Sequence, residues 1–459
     1  MSISKRLLAL AISACVTAPV MAQESLIDVY RRALENDPAI REAEATYLAT
    51  AEVKPQARSG LLPGLTLGAV RSSRYQDQAG GGIDPILGVP VGQRQVFDQD
   101  ASGWSVSLTQ TVFDWSQYAT LRQADKQVVR AETDFQAAQQ NLLLRVATAY
   151  FEVLAAEDNL ASAVAARDSV SRQLEQSQRR FEVGLIAITD VQQSQAGFDD
   201  AVAVEIQAQR LLATSHEQLR EIIGEIEMDL ASPTDDLPLL TPDPANAEEW
   251  VQQALGSNLA LLSSRLAAEI ANDAIDIQRG NRLPTLNLSA SYTDDTQDRT
   301  QTLYPTPGIP SVSTLMPEGR SWSLNLSFPL YTGGLNRSRV QQSVYQHRAA
   351  TEALERVARQ TERQTRDAYL GVISEISRVR ALRQALESNS TALRATEAGF
   401  EVGTQTTVDV LASQNNLRRA ETNYSRSRYD YILNILRLKQ AAGSLSEADV
   451  EQVDGWLQQ

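Results

Sequence analysis

A chain of 459 residues with a formal net charge of -15 and 42% hydrophobic side chains can bury extended cores, and its acidity sets it against nucleic acid, whose phosphates it repels. Its single cysteine, Cys15, rules out an intrachain disulfide framework. Beyond the amino end there is no run of about 18 apolar residues, so a spanning helix is excluded and only strands could cross a membrane.

Lys5 and Arg6 precede an apolar run from Leu7 to about Val20, and Val20-Met21-Ala22 offers a small-residue cleavage pattern, so residues 1–22 read as a signal peptide. A second reading uses Ile12-Ser13-Ala14-Cys15 as a loose lipoprotein box, with Cys15 acylated. From Leu26 to Lys54 apolar residues recur at threes and fours, interrupted at Asn36-Asp37-Pro38, and Pro55 and Gly60 are expected to end this helix. Leu65, Leu67 and Ala69 then alternate as a strand, Gln76 to Ala101 reads as a long Gly- and Pro-rich loop, and Trp104, Val106 and Leu108 mark a second strand.

Between Asp114 and Val183 there is neither Gly nor Pro, and Val128, Phe135, Leu142, Ala149, Ala156, Ala163 and Val170 fall at strict sevens. A sustained seven-residue repeat keeps one seam of a helix facing a partner, so this stretch reads as a long coiled-coil helix. Gly184 ends it, Thr189 and Gln192 form a capping box, and a return helix runs to about Ile223.

The plan is then repeated. Phe181-Glu182-Val183-Gly184-Leu185 recurs as Phe400-Glu401-Val402-Gly403-Thr404 at an offset of 219 residues, and Asp190 and Asp409 keep that offset. The first repeat is assigned to residues 23–228, a proline-rich linker to 229–247, the second repeat to 248–442 and a short acidic tail to 443–459. In the second repeat a helix from Glu248 to Arg279 precedes a strand at Leu286, Leu288, Ala290 and Tyr292. A loop from Thr300 to Gly319, a strand from Trp322 to Leu330, a long helix from Asn336 to Val402 and a return helix from Thr406 to Ala442 complete it.

Four strands of about 9 to 11 residues are long enough to cross a bilayer when tilted, yet four cannot close, and an open edge in lipid leaves backbone groups unpaired. Other chains must complete the sheet; single-chain barrels begin at about 8 strands, and three copies would give about 12. The paired Leu-Pro strand starts, the segment Phe328-Pro329-Leu330-Tyr331-Thr332-Gly333-Gly334 and above all Arg180-Phe181-Glu182-Val183-Gly184-Leu185-Ile186-Ala187-Ile188-Thr189-Asp190-Val191 resemble the TolC family of outer-membrane efflux and secretion channels.

The resemblance implies a mainly α protein with β: a homotrimer whose 12-stranded barrel in the outer membrane of a Gram-negative bacterium continues into an α-helical barrel in the periplasm. The linker would belong to an equatorial belt. It implies an exit duct for an efflux pump or a type I secretion system, opened by a periplasmic adaptor and an inner-membrane transporter of the RND, ABC or MFS type. By the same resemblance Asp409 faces the pore near its closed end, and Asp190 and Thr189 link to the other hairpin. Phe400 and Gln405 stand here where the family can carry a tyrosine and an arginine, so the expected salt bridge to Asp190 has no cation. Val183, Gly184 and Leu185 with Val402, Gly403 and Thr404 would form the grooves for adaptor tips.

Plain structural readings stand beside these. Asp409 and Asp190 suit helix caps, and any hairpin needs Gly near its turn. Trp104, Trp322, Tyr292 and Tyr331 suit aromatic anchors at the lipid interface or the core of a soluble sheet. His216 and His347 lack metal-ligand spacing and are expected as surface residues; no phosphate loop or nucleophile elbow is present, so no cofactor, metal or enzyme activity is expected. The alternative function is a periplasmic coiled-coil adaptor that never enters the membrane.

Overall fold

Helix breaks set the amino-terminal architecture. In the computed structural model, which describes residues 23–83, 86–224, 229–234, 237–304 and 311–457, α1 (Leu26–Asn36) stops at Asp37 and α2 (Pro38–Ala51) starts on Pro38. Proline suits the first helical position because its missing N–H needs no partner there. The Asp37 carboxylate takes the Ala39 N–H at 2.8 Å. The second repeat does the same 221 residues on: α6 (Ala247–Ser257) stops at Asn258, whose side chain accepts from Leu261 N at 3.0 Å to open α7 (Leu259–Gly280). The single helix expected from Glu248 to Arg279 is therefore two. Pro55 does not end its helix either, since it lies in the first turn of α3 (Val53–Ser59), where proline is tolerated.

The strands are β1 (Gly64–Ile83), β2 (Pro90–Phe113), β3 (Thr285–Tyr304), β4 (Ser311–Leu315) and β5 (Glu318–Ser327), all antiparallel in the order β1-β2-β3, with β4 and β5 both on β3. β4 and β5 hold one register, Gln297 opposite Leu315 and Asp294 opposite Glu318, so they form one strand position. Pro317, without an N–H to donate, interrupts it. The four predicted strand positions are present, but much of two expected loops is strand: most of Gln76 to Ala101 lies in β1 and β2, and the described part of Thr300 to Gly319 is strand apart from Met316 and Pro317, with 305–310 outside the described residues. Their polar residues carry no apolar alternation, the signal that marks a half-buried strand.

The long helices fall as expected: α4 (Trp115–Glu182), α5 (Ile188–Ile223), α8 (Leu335–Glu401) and α9 (Thr407–Ala441). Leu142, Ala149, Ala156, Ala163 and Val170 of the seven-residue series are all buried. The cap at α5 differs: Ala187 is the N-cap and Thr189 already lies inside the helix, so the Thr189 and Gln192 box does not form.

Within the described residues the chain divides into two compact units that cut across the repeats. One, within 45–133 and 262–356, holds the sheet; the other lies within 23–44, 134–261 and 357–457. The signal-peptide and Cys15 readings lie outside the described residues. In the helical unit Val29, Val146, Tyr150, Val153, Leu219, Ile432 and Leu436 form the core. Tyr150 donates to Ala231 O at 2.7 Å, and Tyr431 accepts from Leu240 N at 2.7 Å, so buried tyrosines stitch the 229–247 segment to long helices. The carboxyl end is no loose tail. It forms α10 (Glu447–Asp454), burying Val450 and Val453, and Asp454 accepts the Leu26 N–H at 2.9 Å to cap α1.

Candidate functional site: two hairpin tips and an uncovered sheet face

Helices α4 and α8 end in the same motif. At the first tip Leu185 N bonds to Arg180 O and Gly184 N to Phe181 O, both at 2.8 Å; at the second, Thr404 N bonds to Gly399 O at 2.8 Å and Gly403 N to Phe400 O at 3.2 Å. These six-to-one and five-to-two bonds make a Schellman cap, which needs a left-handed residue after the helix. Gly184 (φ 78°) and Gly403 (φ 80°) supply it, and a Cβ at either would point into open space. Val183, Leu185 and Val402 each leave 70% or more of their surface exposed, an apolar edge on each tip. Thr404 is exposed as well, its hydroxyl donating to Gly399 O at 3.0 Å.

The residues expected to line a constriction separate into local roles. Asp190 Oδ2 accepts from Ala187 N at 3.3 Å, inside its own hairpin, and Thr189 is exposed beside it. Asp409 forms a full capping box: Oδ2 accepts from Thr406 N at 2.8 Å and Thr406 Oγ1 at 2.7 Å, while Thr406 Oγ1 accepts from Asp409 N. Those Thr406 bonds, the hydroxyl first, hold the carboxyl below the usual range, and both use Oδ2, so Oδ1 stays toward solvent. Gln405 folds onto Gly399, where an added Cβ would stand 2.7 Å from its Cγ.

Farther from the tips Gln414 of α9 donates to Ser169 of α4 at 3.0 Å, and at the tips themselves the hairpins are joined by a residue with no predicted site role. Arg180 places its guanidinium carbon 5.0 Å over the Phe400 ring and donates from Nη2 to Glu401 O at 3.3 Å. Phe400 is buried, whereas its repeat counterpart Phe181 is 41% exposed. The available signal was the broken repeat: at the offset of 219 Arg180 matches Gly399. His216 and His347 are also less simple than expected. His216 approaches Glu157 at 4.0 Å, and His347 Nδ1 lies 3.1 Å from Ala268 O.

The sheet sorts its side chains by face. One face carries Leu65, Leu67, Val106, Leu108, Leu288, Trp322, Leu324 and Leu326; the other, in the same rows, carries Thr66, Ser105, Ser107, Thr109, Ser289, Ser291, Ser321 and Ser323. On the apolar face Leu65 and Leu67 are more than 70% exposed, with no described residue covering them. Trp104 and Tyr292 meet at 5.2 Å where this band passes into Asp294 and Glu318, and Trp322 opens the band on β5 after Arg320. Tyr331 lies beyond the other end of β5, almost fully exposed. From Trp104 to Val112 the band covers about 27 Å along a strand, or about 20 Å in height at a tilt of about 40°, near the thickness an outer-membrane barrel presents. No described helix is long and apolar enough to cross a membrane. Among the described residues there is also no cluster of His, Cys, Asp or Glu that could hold a metal.

An open sheet with one lipid-compatible face, carried with paired coiled-coil hairpins, defines the class of channel proteins that insert into membranes by strands. The comparisons agree. The family model for outer membrane efflux proteins matches residues 29–225 and 250–444, one segment per repeat. The chain is 36% identical over 459 residues to outer membrane protein TolC of Vibrio cholerae, covering 99% of each chain. It is 29% identical to the alkaline protease secretion protein AprF of Pseudomonas aeruginosa, covering 93% of this chain and 86% of the other. The CmeC outer membrane channel of Campylobacter jejuni shares the fold, with a TM-score of 0.73, 15% identity and coverage of 94% of this chain and 89% of that one. The chain belongs to the outer membrane efflux protein family. It is an outer-membrane channel protein of a Gram-negative bacterium that serves export.

Proposed function

We propose that three copies of this chain close their sheets into one 12-stranded barrel and serve as the exit duct of a tripartite efflux pump or type I secretion system. The observation that carries this reading is the sheet with two open edges, β1 on one side and β4 with β5 on the other, and one uncovered apolar face. Unpaired edges cost several kcal/mol per backbone group in lipid, and edge-to-edge pairing between copies removes that cost. The apolar face then meets lipid, with Trp104, Tyr292, Trp322 and Tyr331 as interfacial anchors, and the hydroxyl face lines the lumen.

In this reading the hairpin tips form the periplasmic entrance. Asp409, with Oδ1 open, and Asp190 supply carboxylates there, with Thr189, Phe400 and Gln405 in the surrounding wall. Val183, Gly184, Leu185, Val402, Gly403 and Thr404 receive the hairpin of a periplasmic adaptor, which an inner-membrane transporter of the RND, ABC or MFS type engages. Opening follows if those partners bind the splayed tips more tightly than the closed ones, since equal affinity shifts nothing. Passage requires no chemistry on the cargo, so the reading contains no catalytic residue.

The test is the native mass of protein extracted by detergent from the outer-membrane fraction, with single-channel recording in planar bilayers. A trimer that conducts is expected. A monomer recovered only from the soluble periplasm would overturn the reading in favour of a coiled-coil adaptor.

A further inference from the structure

Beyond the apolar band, the hydroxyl face of the sheet changes character. In the rows opposite the band it carries only small uncharged residues, such as Thr66, Ser107, Ser291 and Ser321 in one row. Farther along the strands Arg74, Gln99, Arg299 and Ser313 stand side by side in another. Because strand side chains alternate, the register puts both arginines on the face of Ser107 and not on that of Leu67. Two strand spacings separate them, about 9.6 Å.

Arg299 lies 4.7 Å over the Phe97 ring, a contact that anchors it on this face while leaving its N–H edge available. Gln99, between the two, donates to Gln297 at 3.3 Å and so does not compete for them. Among the described residues no ion pair neutralises Arg74 or Arg299, whereas Arg94 on the opposite face is paired to Asp77 at 2.6 Å. Carboxylates segregate the other way: Asp77, Asp98, Asp100, Asp294, Asp298 and Glu318 share the apolar-band face. Asp295 alone lies with the two arginines, four residues before Arg299, or about 13 Å along the strand.

We infer that Arg74 and Arg299 form an anion-binding collar on the lumen side of the sheet, which takes solutes bearing several phosphate or carboxylate groups. Guanidiniums bind such groups in bidentate fashion, and a pair about 10 Å apart favours an anion that reaches both. Apart from Asp295 the wall adjoining the collar is neutral and discriminates little by charge, so anion selection on this face falls to the arginine row. The inference rests on the channel reading above, in which the hydroxyl face is the lumen.

The experiment uses the purified full-length protein in phospholipid planar bilayers. It measures the reversal potential in a KCl gradient and the block of current by inorganic tripolyphosphate. The variant carrying both Arg74→Gln and Arg299→Gln should shift the reversal potential toward cation selectivity and raise the half-blocking concentration about tenfold. Lysine at both positions should retain most of the selectivity, and Arg71→Gln, on the opposite face, should change neither quantity. Should the double variant not assemble by native mass, the single variants report the same shift. Unchanged selectivity and block in conducting glutamine variants, or an equal effect of Arg71→Gln, would overturn the collar and leave the channel reading standing. A wild-type trimer that carries no current would sink the channel reading, and the collar with it.

Discussion

Arg180 makes the link between hairpins that Asp190 and Gln405 do not. Its guanidinium stacks on Phe400 and its Nη2 holds the Glu401 carbonyl, so one side chain ties the end of α4 to the end of α8. A cation over an aromatic ring contributes about 0.5–1 kcal/mol at exposed sites and more when desolvated. Arg180→Ala and Phe400→Ala should each increase spontaneous opening in bilayers, with a coupling of about 1 kcal/mol in the double-mutant cycle. Additive effects would show that the two side chains do not act together.

Asp409 belongs to the same scale. Thr406 holds its folded-state carboxyl below the unfolded value, so the contribution to the tip is complete above the ordinary carboxylate range and is lost as pH falls through the lowered value. Hydrogen exchange at the amides of Thr406 and Asp409 should therefore be pH-independent near neutrality, beyond the intrinsic chemistry, and accelerate only in strong acid. In Asp409→Asn that acid-dependent step should vanish. Persistence of the step in the variant would assign it to another group.

At the scale of elements, the two hairpins share a polar pin as well as a cap. Ser177 of α4 and Ser194 of α5 meet at 2.9 Å, both fully buried, and Thr396 of α8 and Ser413 of α9 meet at 3.2 Å at the matching positions of the second repeat. A hydroxyl pair at a helix seam prefers one register, because a slip buries each group without its partner. Replacing Ser177 alone with Ala should destabilise the hairpin by about 1 kcal/mol, and replacing Ser177 and Ser194 together should cost no more. Protease resistance of the tip reads this, and strictly additive losses would count against the pin. α10 shows the same economy in another form: eight residues at the carboxyl end cap α1 and close the core of the helical unit.

At the scale of the whole molecule, neither repeat is a structural unit. Strands from both repeats make one sheet, and helices from both make one core, so the duplicated halves are stable only together. The sheet itself remains unfinished, with its apolar face uncovered and its edges open. A soluble domain with such a face would aggregate, whereas a membrane protein uses it. The proposed assembly of three copies would close those edges, and the native mass tests it.

The sequence by itself determined what rests on local period and chain geometry. The long helices are legible because a seven-residue repeat without Gly or Pro has one reading, and both tips are legible because only glycine takes φ near 80° without strain. The apolar halves of the strands are legible from alternation, and the duplication from its fixed offset. Only the tertiary structure decided the rest. The polar extensions of β1, β2 and β3 are strands because partners in register satisfy their backbone, which no composition announces. α10 is ordered by burial against a core whose members lie hundreds of residues away in the chain. Arg180 reaches Phe400, and Arg74 shares a row with Arg299, through pairings between distant segments. Local periodicity cannot encode which distant residues meet, because that depends on packing and register across the whole chain.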